Sequence, residues 1–154
     1  MTSLIVVNLH GLINTPGQVR QTLIELGIGK KFAATVVNDD PTTSGELDLC
    51  KEYIAWSPID AELLSSLLKS RGKVSNTKPI DAGALKALGV KDHSELAAKI
   101  IDGGSRLSSV KGVKPFFGLS PPRGGLKRSS RRQFRQGGVL GENPKLPDIL
   151  RRMI

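Results

Sequence analysis

The sequence predicts an α+β fold in which helices pack on one face of a small sheet. Three observations carry this expectation. Short runs rich in β-branched and aromatic residues recur at positions 4–7, 33–37 and 53–56, the composition of strands. Between and after them apolar residues fall at helical spacing, first Val19, Leu23 and Leu26, then Leu63, Leu64, Leu67 and Leu68. The chain has 154 residues, 38% of them hydrophobic, which suits one domain with a real core rather than two.

Leu4, Ile5, Val6 and Val7 form an apolar run that stops at Asn8, and a polar loop with Gly11 and Asn14 follows; the run reads as a buried strand. Thr15, Pro16, Gly17 and Gln18 then open a helix. Thr15 is its expected cap, Pro16 suits the first helical position, and Gln18 stands where a capping box places it. Gly27 ends this helix in a left-handed conformation. Residues 33–37 are the second strand, and Asn38, Asp39, Asp40 and Pro41 make a turn. Residues 44–51 fit a short helix or a loop. Tyr53, Ile54, Ala55 and Trp56 are the third strand. Asp60 caps the leucine-rich helix, which Gly72 closes. The first helix has the length that a split βαβ connection needs, so residues 1–72 form the expected core domain.

Residues 73–112 read as a helical insertion. Asp81 and Asp92 each cap a short helix, with Leu85 and Leu88 on the first and Leu96 and Ile100 on the second, and Gly103 and Gly104 break the pattern. Residues 113–154 are a basic extended segment with a closing helix packed back on the core. Phe116, Phe117 and Leu119 suit a short docking strand. A loop over 121–141 has two Gly-Gly pairs and few apolar residues, and Leu146, Ile149, Leu150 and Met153 share one face of the last helix.

The charge is segregated. The chain carries 23 Lys and Arg against 14 Asp and Glu, a formal +9. Residues 103–141 hold nine basic residues and no acidic one, which leaves 14 of each sign elsewhere. A balanced body with a polycationic extension points to a polyanionic partner, and a pI near 10.0 points to nucleic acid or an anionic surface. The apolar runs fall far short of the roughly 20 residues of a membrane span. The first residues have neither the basic start nor the long apolar stretch of a signal peptide. The single cysteine, Cys50, cannot form an internal disulfide, which fits a reducing, cytosolic setting.

Residues 121–138 are the leading candidate site. Arg123, Arg128, Arg131, Arg132 and Arg135 outnumber Lys127 there, and a guanidinium fork binds phosphate oxygens through two parallel hydrogen bonds. Phe134 lies among them and offers a face for stacking an unpaired base. The competing reading is a solvated tail. Enzyme readings are weaker. Gly29, Lys30 and Lys31 resemble the end of a phosphate loop, but Ile24 stands where its first glycine belongs and no Ser or Thr follows Lys30. His10 and His93 are far apart and have no cysteine pairs near them, so no metal is expected. Asp39 and Asp40 sit in a turn where Asp commonly bonds locally, and Trp56 and Cys50 read as packing residues. No cofactor or small-molecule substrate is expected.

Taken together, several segments resemble the large-subunit ribosomal protein L-thirty family. They are Val-Val-x-Leu-x-Gly at 6–11, Val19-Arg20-Gln21-Thr22-Leu23, the 53–56 strand, and Leu67-Leu68-Lys69-Ser70-Arg71-Gly72. Phe-x-Leu-x-Pro-Pro-Arg-Gly-Gly at 117–125 and Gly-Gly-x-Leu-Gly at 137–141 complete the set. With both late motifs the chain is similar to the archaeal long form, akin to the eukaryotic protein L-seven. The resemblance implies a small three-stranded antiparallel sheet of order 3-1-2, ferredoxin-like, with helices on one face. It implies a non-catalytic role in the cytoplasmic ribosome: binding large-subunit ribosomal RNA near the 5S RNA, beside other large-subunit proteins. The implied RNA contacts are Arg20, Lys30, Lys31, and the loop with Arg123, Lys127, Arg128, Arg131, Arg132, Phe134 and Arg135. Lys114 joins them as a further basic residue of the extension. A free regulatory RNA-binding module is the alternative, and an enzyme on the same core would need a pocket of titratable side chains.

Overall fold

Leu4, Ile5, Val6 and Val7 follow one another without a polar break, so both faces of their strand need cover. The computed structural model describes residues 2–104 and 106–154. Met1, where the reading of the first residues begins, and Ser105, in the 73–112 segment, lie outside the described residues. Strand β1 (Ser3–Asn8) is buried along its whole length. Ile5 and Val7 join one apolar cluster and Leu4 and Val6 join another, as the alternation of a strand requires.

The chain continues through α1 (Gly17–Glu25), β2 (Ala33–Asn38), α2 (Pro41–Cys50), β3 (Ile54–Pro58) and α3 (Ala61–Arg71). Then come α4 (Ala82–Ala87), α5 (His93–Asp102), β4 (Phe117–Gly118), β5 (Ser129–Gln133), β6 (Gly138–Glu142) and α6 (Leu146–Met153). Helices α1 and α2 cover one face of β1, through Val19, Leu23, Leu47 and Cys50. Helices α3, α5 and α6 cover the other, through Leu64, Leu67, Leu96, Ile100, Leu146 and Leu150.

This corrects the expected fold. The sheet has six strands, in the order β4-β2-β1-β3-β6-β5, and is not a three-stranded antiparallel sheet with helices on one face. It is mixed: β1 pairs antiparallel with β2 and β3, and β2 with β4, whereas β6 lies parallel to β3 and to β5. The physical reason lies in the last third of the chain. Phe117 is fully buried and brings its strand onto β2, while Val139 and Leu140 pull β6 in beside β3. Helices on one face alone would leave half of the apolar side chains of β1 in water.

Local signals differ in detail too. The Thr15 hydroxyl donates to the Leu12 carbonyl and does not cap α1, whose cap position is Pro16. Gly27 does end α1 at φ +79°, with the Ile28 amide donating to the Leu23 carbonyl at 3.0 Å. The undecided segment at 44–51 is helical as far as Cys50, within α2, where Thr43, Leu47 and Cys50 form the buried side and Lys51 is the C-cap. The Asp81 carboxylate accepts from the Ala84 amide at 2.9 Å, whereas the Asp60 and Asp92 side chains make no capping bond. Buried Asn8 is satisfied on both sides: its amide donates to the Ile28 carbonyl at 2.7 Å, and its oxygen accepts from the Gly11 amide at 2.8 Å.

Candidate nucleic-acid interface

The basic segment is a structured arm on the sheet. It leaves the core after β4 and is caught by the last turn of α6. Nη1 of Arg152 donates to the carbonyls of Arg123, at 3.1 Å, and Gly125, at 2.6 Å. The Arg123 amide donates to the Arg152 carbonyl at 3.2 Å. Lys127, at φ +58°, turns the chain into β5. A 3-10 turn at Phe134–Gln136 then leads to β6, and Val139 and Leu140 anchor β6 in the core. Asn143 fixes the next corner: its backbone amide donates to the Trp56 carbonyl at 2.9 Å and its side-chain amide to the Val139 carbonyl at 3.1 Å. The expected loop over 121–141 therefore contains two strands.

Between these anchors Arg128, Arg131, Arg132 and Arg135 are exposed. Among the described residues, the ion pairs within 4.0 Å are Lys99–Glu95, Arg106–Glu46 and Arg151–Asp148, so none engages the arm. These four arginines thus have no carboxylate partner among the described residues. The Arg128 guanidinium carbon stands 4.5 Å from the Phe134 ring centroid, and Nη2 donates to the Phe134 carbonyl at 3.3 Å. Arg128 thus takes one face of the half-buried Phe134 ring.

The structure does not bring the other expected contacts to the arm. Exposed Arg20 lies on α1 and donates to the Leu12 carbonyl at 3.1 Å. Lys31 sits 5.2 Å from the Phe32 ring centroid. Lys30 edges an apolar groove of about 300 Å³ that Leu12, Ile24 and Phe116 also line. Half-buried Lys114 donates to the Asn76 side chain and lies 5.2 Å from the Phe116 ring centroid. Lys30 and Lys114 thus meet around Phe116 near β4, and β4 and β5 are opposite edges of the sheet.

Sequence reasoning missed two residues of the arm's surroundings. Arg152 holds the Pro-Pro-Arg-Gly-Gly segment in place; its signal was a basic residue in the last turn of an otherwise apolar-striped helix. Trp56 is half-buried and shares with Phe134 a cavity of about 210 Å³, which only the sheet order reveals. The enzyme candidates stay scattered. Asp40 occupies the cap position of α2, and the His10 ring packs edge-on to Tyr53 with centroids 5.1 Å apart. His93 Nε2 lies 3.3 Å from the Ile80 carbonyl oxygen. Burial, aided by the Glu46 charge, pushes the Cys50 thiol up to about 11, which keeps it protonated and unreactive.

Comparison with known proteins gives one family. Residues 4–54 match the family model described as Ribosomal protein L30p/L7e. The chain is 37% identical over 150 residues to the large ribosomal subunit protein uL30 of Cenarchaeum symbiosum, covering 97% of each chain. It is 35% identical over 152 residues to that of Nitrosopumilus maritimus, covering 99% of this chain and 98% of the relative. It is 35% identical over 142 residues to that of Aeropyrum pernix, covering 88% of both.

Proposed function

Because the chain belongs to the large ribosomal subunit protein uL30 family, in its archaeal long form, we propose that it is a non-catalytic constituent of the large subunit in the cytoplasmic ribosome, binding and stabilising ribosomal RNA. The exposed arginines of the arm, which make no ion pair among the described residues, carry this reading. The packed domain positions the molecule, and Arg123, Lys127, Arg128, Arg131, Arg132 and Arg135 neutralise phosphates. Arg20, Lys30, Lys31 and Lys114 provide a second, separate footing. Recognition rests on RNA shape and 2′-hydroxyls, and the contact lies near the 5S RNA.

Salt dependence tests this. Each neutralised phosphate adds roughly 0.7 to 0.9 to the slope of log affinity against log salt. Changing Arg128, Arg131, Arg132 and Arg135 to Ala should lower affinity for large-subunit RNA and flatten that slope by about 3 units in filter binding. An unchanged slope and affinity would falsify the arm assignment. Protection of the RNA from chemical probing, with and without the 5S RNA, tests the finer placement.

A further inference from the structure

Phosphate neutralisation leaves one feature of the arm unused, the cavity between Trp56 and Phe134. We propose that it receives a single unpaired base of the bound RNA, and guanine in preference to uracil. The proposal rests on the reading of the arm as an RNA contact and adds a base to it.

Three observations support it. The first is the pairing of aromatic residues. The chain has only six, namely four Phe, one Tyr and one Trp, yet two of them wall one cavity of about 210 Å³. Trp56 packs against the apolar cluster beneath the sheet, so it is held as a platform. Arg128 covers Phe134 from a neighbouring cavity and does not line this one. The part of Phe134 that lines the cavity with Trp56 is therefore available for a planar ligand. Stacking on aromatic side chains is how single-stranded bases are held, and it contributes about 1–3 kcal/mol per base.

The second is charge. Asp48 and Glu142 put two carboxylates on the wall, and Lys51 and Arg135 put two cations there. A charge-balanced cavity has no particular attraction for phosphate, which the exposed arginines beside it serve better. It suits a neutral ligand with its own donors and acceptors. Guanine carries two adjacent donors, the ring N1–H and the 2-amino group, which a carboxylate accepts side by side. Uracil offers one donor flanked by two carbonyl oxygens, which a carboxylate repels.

The third is position. Glu142 lies opposite Trp56 in the β3–β6 register, so a carboxylate and the stacking platform come from neighbouring strands. Arg135 belongs both to the arm and to the cavity wall. A strand whose phosphates track the arm therefore passes the cavity mouth and needs only to turn one base inward.

Trp56 is the only tryptophan, so its emission reports on the cavity without a label. The test titrates the full chain at low salt with two single-stranded probes of equal charge, hexauridylate and the same hexamer with one central guanosine. Both should bind through the arm. The guanosine hexamer should bind about fivefold or more tightly and quench Trp56, while hexauridylate leaves the emission near its starting value. Glu142→Gln should bring the two affinities together, and Phe134→Leu should weaken the guanosine-dependent quench. Equal affinity and equal emission changes for both probes overturn the cavity proposal and leave the arm reading standing. Binding of neither probe overturns both.

Discussion

Cys50 sits with Leu23, Leu47 and Ile54 in the cluster beneath α1 and α2, and none of its surface reaches water. Its ordinary thiol value of 9.0 rises to about 11, first because burial disfavours the thiolate and second because Glu46 is negative. The sign follows from linkage. The unfolded chain releases this proton at lower pH than the folded one, so the stability it confers is complete below about pH 9 and is lost as pH climbs through about 11. Urea midpoints should therefore fall between those two values. Cys50→Ala should remove that part of the alkaline dependence, and alkylation of the wild-type thiol at pH 8 should require unfolding. Rapid labelling of the folded protein at pH 8 would contradict the burial described.

At the scale of elements, what the sequence made legible depended on whether an element carries its own apolar pattern. Val19, Leu23 and Leu26 mark α1, and Leu146, Ile149, Leu150 and Met153 mark α6, because each set is one buried stripe. Strand β5 reads Ser-Ser-Arg-Arg-Gln and has no buried residue, so nothing in its composition separates it from a solvated loop. It becomes a strand only because β6 is beside it. Strand β6 holds two glycines in five residues and was equally silent. The candidate site was legible in its charges and not in its shape: the arginines stand out in sequence, whereas the pairing of Trp56 with Phe134 depends on β6 lying next to β3. At Gly138 strands β5 and β6 leave no room for a side chain. A Cβ there would overlap the backbone carbonyl of Arg132. Gly138→Ala should thus release β5 from β6. Limited trypsin digestion should then cut within 128–135 much faster than in the parent chain, and RNA affinity should drop while the remaining core persists.

For the whole molecule, the two apolar layers carry stability, apart from the arm to which RNA binding is assigned by proposal. Leu150 is fully buried in the layer built by α3, α5 and α6, so Leu150→Ala should cost about 2–5 kcal/mol in urea unfolding. The four arm arginines make no ion pair among the described residues, and exposed substitutions of that kind stay within about 0.5 kcal/mol each. Changing all four to Ala should leave the urea midpoint close to the parent value while RNA binding falls. A coincident loss of both would mean that the arm braces the core.

Strand β5 also closes the sheet, and an edge strand leaves one side of its backbone open to pairing with another chain. Arg131 and Arg132 stand on that border, exposed. Two free molecules approaching edge to edge bring like charges together, so the residues proposed to meet RNA also oppose pairing of the unbound protein with itself. That protection weakens as salt screens the repulsion, with a reach of only about 8 Å at physiological ionic strength. RNA bound to the arm as proposed would cover the same border, so light scattering by the protein should be greatest without RNA and at high salt.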